Sequence, residues 1–245
     1  RYRFFTLLTL GATVGVFLSA DLYTAFIFFE IMSFTSYTWV AHEETKEALR
    51  AAETYLAVAV IGGLVMLMGL FILYHELGTL EITALAEAVR SHTLAGESGA
   101  VHYRNLFIGA SCLLFGFGAK AGVFPLHIWL PKAHPVAPAP ASALLSGILT
   151  KAGIFGVLVV SCSLLQFDVR WGALILFLGV LTMFTGALLA LFSVNLKRTL
   201  ACSSVSQIGF ILIGIGMQGL LGEEGSLAIR GILLHMVNHS LIKLV

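Results

Sequence analysis

Three ionisable side chains stand where the surrounding sequence makes charge costly: Glu30, Lys120 and Lys151 each lie inside a run of otherwise uncharged residues. Glu30 is the ninth residue of an apolar stretch at about 22–41, with eleven uncharged residues between it and His42. Lys120 is sixteenth in a stretch at about 105–131, and Lys151 is fourteenth in one at about 138–165. If these stretches cross a membrane, all three residues sit deep, where each charge costs about 2.5 to 3.5 kcal/mol at a helix centre. A buried lysine whose carboxylate can separate from it can load and release a proton. The competing reading is a structural Glu30–Lys120 salt bridge that fixes helix packing. Against it, one carboxylate cannot neutralise two lysines, and a structural pair has no need of the break that follows in the lysine's own helix.

A second group is His235, His239 and Lys243, spaced i, i+4 and i+8 with Asn238 beside them, which places a polar stripe on one helix face. Two histidines at this spacing could bind a metal or sit near a haem. Zinc needs further ligands that are not identifiable, and a bis-histidine haem needs its ligands on opposite helices. A proton relay fits better, because histidine titrates closest to neutral pH; a stripe buried for packing is the alternative. No cofactor and no metal site are expected. His127 and His134, in PLHIWLPKAH, either line a water-filled entry or end a broken helix, and the sequence does not separate these.

The elements that must carry these groups are apolar helices. Hydrophobic residues make up 58% of the 245 and charged residues 11%, with a mean hydropathy of +0.96, far outside the range of soluble domains. Eight segments are long enough to cross a core about 30 Å thick, at approximately 4–20, 22–41, 54–74, 105–131, 138–165, 171–195, 199–221 and 226–245. They exceed the length of barrel strands and are apolar on nearly all faces, so the expected fold is an all-α integral membrane bundle. All five prolines fall between Pro125 and Pro140. Pro125 and Pro131 must break or unwind the helix that carries Lys120. The freed backbone groups then need water or protein partners, because lipid offers none, and broken helices beside buried charges are a common way to build ion pathways.

Arg1, Arg3, Lys46, Arg50, Lys132, Lys197 and Arg198 fall on one side of the spans, and Arg90, Arg104, Arg170 and Arg230 on the other. The bias puts the first set in the cytoplasm. The longest loop, 75–103, then faces outward, with a short interfacial helix possible at 81–90 and a flexible tip at 96–99. Cys112, Cys162 and Cys202 show no metal-ligand spacing and are read as small packing residues. A net charge of +1 gives no support for nucleic-acid binding. The chain starts at Arg1 without methionine and stops at Val245 inside an apolar helix, so it is read as a fragment in which the lack of a visible signal peptide decides nothing.

The stretch AKAGVFPLHIWLPKAHPVAPAPASALLSGILTKAGIFG at 119–156 resembles the signature region of the antiporter-like proton-translocating membrane subunits. That family includes the L, M and N type subunits of respiratory complex I, the membrane subunits of energy-conserving hydrogenases and formate hydrogenlyase, and the large subunits of multisubunit Na+/H+ antiporters. FFEIMSFTSY around Glu30, LKRTLACSSVSQIGF from Leu196 and HMVNHSLIK from His235 extend the resemblance over nearly the whole chain. Cys202 departs from a tyrosine common at its position.

The resemblance implies inverted five-helix repeats, each with a broken helix: residues 1–165 form the first repeat and proton half-channel, and 166–245 the truncated start of the second. It implies a central Glu30–Lys120 pair, a relay at Lys151, and onward transfer through His235, His239 and Lys243, with the exit residue beyond Val245. The implied function is proton translocation without a redox centre in this chain, as part of an NADH:quinone oxidoreductase or hydrogenase type translocase in a bacterial or archaeal cytoplasmic membrane. Its partners would be other membrane subunits and a peripheral electron-transfer arm. The alternative is a component of a multisubunit Na+/H+ antiporter driven by ion gradients alone, and a third reading is an inert structural role. Glu30 is the only mid-depth carboxylate, whereas sodium favours several oxygen ligands, which tilts the reading towards protons.

Overall fold

The computed structural model of the chain describes residues 2–94 and 99–244. The flexible tip expected at 96–99 lies, Gly99 apart, outside the described residues. Helices account for nearly all the regular structure: α1 (Tyr2–Leu18), α2 (Leu22–Val40), α3 (Lys46–Leu77), α4 (Leu85–Leu94), α5 (Gly99–Ala121), α6 (Leu130–Val136), α7 (Ala139–Leu144), α8 (Thr150–Val159), α9 (Val169–Leu191), α10 (Leu196–Leu221) and α11 (Ser226–Leu244). No strand is formed among the described residues.

Five helical stretches are long and apolar enough to cross a membrane: Lys46–Leu77, His102–Val136, which is interrupted after Ala121, Ala139–Leu164, Val169–Leu191 and Leu196–Leu221. The other three expected spans do form helices. However, α1 has only 17 residues, while α2 carries Glu30, Ser33, Thr35 and Ser36, and α11 carries Arg230, His235, Asn238, His239 and Lys243, which lower their hydropathy. The loop expected at 75–103 is shorter than its apolar boundaries imply, since α3 runs to Leu77 and α5 starts at Gly99. The short helix expected there forms at Leu85–Leu94, a few residues later than 81–90. Its entry is tied to the start of α2 by Leu22 N donating to Leu80 O and Ile82 N to Ala20 O, at 3.0 and 2.9 Å.

Local polar residues set the helix starts. Asp21, Thr45, Asp168 and Asn195 accept from backbone amides three residues on, at 2.8, 3.1, 2.8 and 3.2 Å, and cap α2, α3, α9 and α10. Burial pushes the Asp21 carboxyl up, but the bonds from the Thr24 amide and hydroxyl outweigh it and hold the group below its usual value.

Packing of the long helices rests on glycines spaced by seven. Gly172, Gly179 and Gly186 on α9 face Gly216, Gly209 and Cys202 on the antiparallel α10. A Cβ on Gly209 would lie 2.7 Å from the Gly179 carbonyl oxygen and would overlap the Met183 amide nitrogen. The α3/α5 pair repeats the device: a Cβ on Gly116 would meet the Gly62 carbonyl oxygen at 2.7 Å, and one on Gly69 the Gly109 carbonyl oxygen at 2.8 Å. Between lipid-immersed helices no hydrophobic force favours association, so close backbone approach through small residues supplies it.

The helix carrying Lys120 stops at Ala121, where Gly122 turns into the left-handed region at φ +86. The amides of Gly122 and Val123 both reach the Gly118 carbonyl at 2.9 Å. Phe124 N–H instead donates across to Thr182 Oγ1 on α9 at 3.0 Å, and that hydroxyl donates to Leu178 O at 2.6 Å. After Pro125 the chain resumes as a 3₁₀ turn, Leu126–Trp129, followed by α6. The sequence places the interruption on Pro125 and Pro131; in the structure it begins at Gly122, and Pro131 lies in the first turn of α6, where its missing N–H costs least.

Three variants test this packing. Gly209→Ala should destabilise the solubilised protein by about 1 to 3 kcal/mol through overpacking. Gly231→Ala, where a Cβ meets nothing within 4 Å, should be neutral or stabilising, both read by thermal unfolding. Thr182→Val, which removes the acceptor of the partly buried Phe124 amide, should cost about 0.5 to 1.5 kcal/mol by the same measurement.

Candidate functional site

Lys120 sits one residue before the end of α5 and is only 3% exposed. Its ammonium donates to Ser33 Oγ of α2 at 3.0 Å and to the Tyr55 hydroxyl of α3, with the Tyr55 ring centroid 4.8 Å away. Tyr55 is fixed in turn by Ser36 Oγ at 2.6 Å and by edge contact with Trp129, 4.9 Å between ring centroids. Trp129 Nε1 donates back to Ala119 O at 2.7 Å, which locks the 3₁₀ turn onto the helix that holds Lys120.

Glu30 lies on the same helix as Ser33, yet its carboxylate makes no ion pair with Lys120, and its buried Oε1 has no hydrogen-bond partner. The two charges interact only through space. Gly63 of α3 makes the room that Glu30 occupies, since a Cβ there would overlap Oε1. The structure therefore gathers the expected pair into one region without closing it.

Lys151 stands on α8, held against α5 because Gly153 and Gly156 let the helix seat on Phe117; a Cβ on Gly153 would overlap the Phe117 carbonyl oxygen. Just before it, the helix widens into a π turn at Leu145–Leu149, a deformation that recurs at functional sites. The Ser146 carbonyl there accepts from Lys151 Nζ at 2.5 Å and Thr150 Oγ1 at 2.9 Å. Gly147 in the same turn admits α11, its Cβ position lying 2.9 Å from Leu244 Cδ2.

His134, on α6, is buried and does not face solvent. Its Nδ1 bonds Ser142 Oγ at 2.6 Å and its Nε2 bonds Ser146 Oγ at 3.3 Å. Ser146 Oγ continues to Ser204 Oγ of α10 at 3.0 Å, Ser204 Oγ donates to Leu200 O at 3.0 Å, and Lys243 Nζ of α11 donates to that same carbonyl at 3.0 Å. One connected polar line thus joins α6, the π turn, α10 and α11. His127 is also buried, stacked on Phe124 with ring centroids 5.8 Å apart, and its Nδ1 has no partner.

On α11 the expected stripe forms in part. His235 and His239 stack with ring planes 11° apart and centroids separated by 6.3 Å. Both nitrogens of His239 and Nε2 of His235 are buried without partners. Lys151 and Lys243 lie within electrostatic range of His239. Asn238 is exposed and does not join them.

Ser33, Tyr55, Ser142, Ser146 and Ser204 hydrogen-bond the expected residues of the candidate site and were not singled out by sequence reasoning. Tyr55 in an otherwise apolar run was the available signal. The serines resemble ordinary small residues of membrane helices until their partners are known.

Residues 19–245 match the family described as NADH:quinone oxidoreductase/Mrp antiporter, TM. The chain is 34% identical over 98% of its length to hydrogenase-4 component B of Escherichia coli (strain K12), and 33% identical over 99% to a Na(+)/H(+) antiporter subunit of Alkalihalophilus pseudofirmus. It spans 35% and 46% of the length of those relatives. Among solved structures, a chain of the membrane-bound sulfane sulfur reductase, an archaeal respiratory membrane complex, superposes with a TM-score of 0.82 at 30% identity, over 98% of this chain and 38% of that one. A chain of the Mrp complex from Dietzia sp. DQ12-45-1b shares the fold with a TM-score of 0.83 at 24% identity, over 98% of this chain and 42% of that one. The match over residues 19–245, together with the apolar helices, makes this chain a multi-pass integral membrane protein that belongs to the NADH:quinone oxidoreductase/Mrp antiporter transmembrane family.

Proposed function

We propose that the parent protein moves protons across a bacterial or archaeal cytoplasmic membrane, with Glu30, Lys120, Lys151, His235, His239 and Lys243 as its carriers. The observation that carries this reading is the polar line through an apolar bundle, from His134 through Ser146, Ser204 and the Leu200 carbonyl to Lys243, with Lys151 on the Ser146 backbone. Hydroxyls donate and accept at once, so Ser146 and Ser204 can hand a proton on while taking another; the Leu200 carbonyl only accepts, so it holds Ser204 and Lys243 side by side and relays nothing itself. Water is the natural partner for the unpaired nitrogens of His235 and His239 and for Glu30 Oε1, because buried polar atoms left unpaired are costly.

In this reading all eight helical segments cross the membrane, the interrupted one carries Lys120, and residues 1–165 and 166–245 belong to successive repeats of inverted topology. Glu30 and Lys120 form a pair that opens and closes: the open arrangement leaves the ammonium on Ser33 and Tyr55 and the carboxylate in the room that Gly63 leaves, and closure brings the two side chains together. His127 and His134 then belong to the interior of the path rather than to an open mouth. Electron transfer in partner subunits of a respiratory or hydrogenase-type complex would drive the cycle. The rival, a component of a Na+/H+ antiporter powered by ion gradients, has an equally similar relative in its favour.

Two measurements test the proposal on the full-length parent within its complex, reconstituted in vesicles. Lys120→Ala should abolish proton pumping while native gels show normal assembly, with a parallel sodium-flux trace reporting which ion moves; pumping at the normal rate would reduce Lys120 to packing. Ser204→Ala should slow transport about tenfold, the effect of losing one hydrogen bond worth about 1.4 kcal/mol, whereas Thr199→Ala, on the same helix and outside the polar line, should leave the rate unchanged.

A further inference from the structure

Three cations meet at one end of the bundle. Arg50 of α3, Lys132 of α6 and Arg198 of α10 line a cleft of about 510 Å³, with Glu47 as its one carboxylate and Asn195 at its rim. All three cations are exposed, and none forms a salt bridge among the described residues. They come from elements far apart in sequence, so their convergence belongs to the tertiary structure. The N-terminal turn of α10, the positive end of a 26-residue helix, forms part of the same wall. Around Asn195 in the chain, Phe192 and Val194 of the turn between α9 and α10 and Leu196 at the start of α10 are 76%, 103% and 73% exposed. A cationic cleft calls for an anion, and exposed apolar side chains flanking its rim residue call for a hydrocarbon tail attached to that anion. A soluble phosphate would use the first feature and leave the second without purpose.

We propose that this cleft binds the phosphate headgroup of an anionic phospholipid, whose acyl chains lie along Phe192, Val194 and Leu196. The inference stands on the cleft alone and does not require the proton pathway. A headgroup held there would bridge α3, α6 and α10. Two of these carry groups of the polar line, His134 two residues after Lys132 and Ser204 six after Arg198, so an occupied cleft would hold their spacing.

The test is native mass spectrometry of the full-length complex titrated with phosphatidylglycerol and, separately, with phosphatidylcholine. Phosphatidylglycerol should bind preferentially, and Arg198→Gln alone should weaken it about fivefold, the effect of one cation near a phosphate. The combined Arg50→Gln, Lys132→Gln and Arg198→Gln variant should abolish the preference; the single variant carries the test if the triple does not assemble. Arg104→Gln with Arg170→Gln, at the opposite end of the bundle, should leave binding unchanged. Equal affinity for the two lipids, or no loss in Arg198→Gln, would overturn the proposal. Displacement of phosphatidylglycerol by excess inorganic phosphate would assign the cleft to free phosphate and overturn the lipid.

Discussion

A buried ammonium with no carboxylate in contact is the constraint on which the first half of the structure is organised. Burying Lys120 in an apolar bundle is tolerable only if its protons find acceptors, and here two hydroxyls and an aromatic face supply them. Tyr55 must in turn be held by Ser36 and Trp129, and Trp129 must be brought back to α5 by the turn that follows Gly122. The interruption of the helix is therefore part of the support of the lysine: without it Trp129 could not reach the Ala119 carbonyl.

Interrupting a helix in an apolar interior frees backbone groups, and their satisfaction ties the two halves of the chain together. Thr182, on α9, takes the Phe124 amide, so the break in the first half is closed by a residue nearly sixty positions downstream. The Ser146–Ser204 bond makes a second tie of the same span between the π turn and α10. Both depend on α9 and α10 sitting at glycine-limited distance from each other, because a looser pair would not hold Thr182 and Ser204 in register.

The same economy explains why the polar groups lie where they do. Lys151 needs an acceptor deep in the bundle, and the second lone pair of a helix carbonyl can supply one. The Ser146 carbonyl in the π turn takes the ammonium while the serine's hydroxyl stays turned towards His134 and Ser204. One residue thus serves two sides of the line, and a glycine beside it lets α11 come close enough for Lys243 to reach α10.

The sequence by itself determined the helical class, the approximate course of the helices, and that Glu30, Lys120 and Lys151 stand inside apolar runs, because hydropathy and charge spacing along one chain carry that information directly. The motifs quoted around those residues likewise sufficed to indicate the family. Tertiary structure alone decided that Lys120 rests on Ser33 and Tyr55 and not on Glu30, that the helix turns at Gly122 ahead of its prolines, that His134 faces serines inside the bundle, and that Arg50, Lys132 and Arg198 share a cleft. Each of these is set by how closely helices approach and where they are interrupted. Neither quantity is written in the periodicity of a single segment.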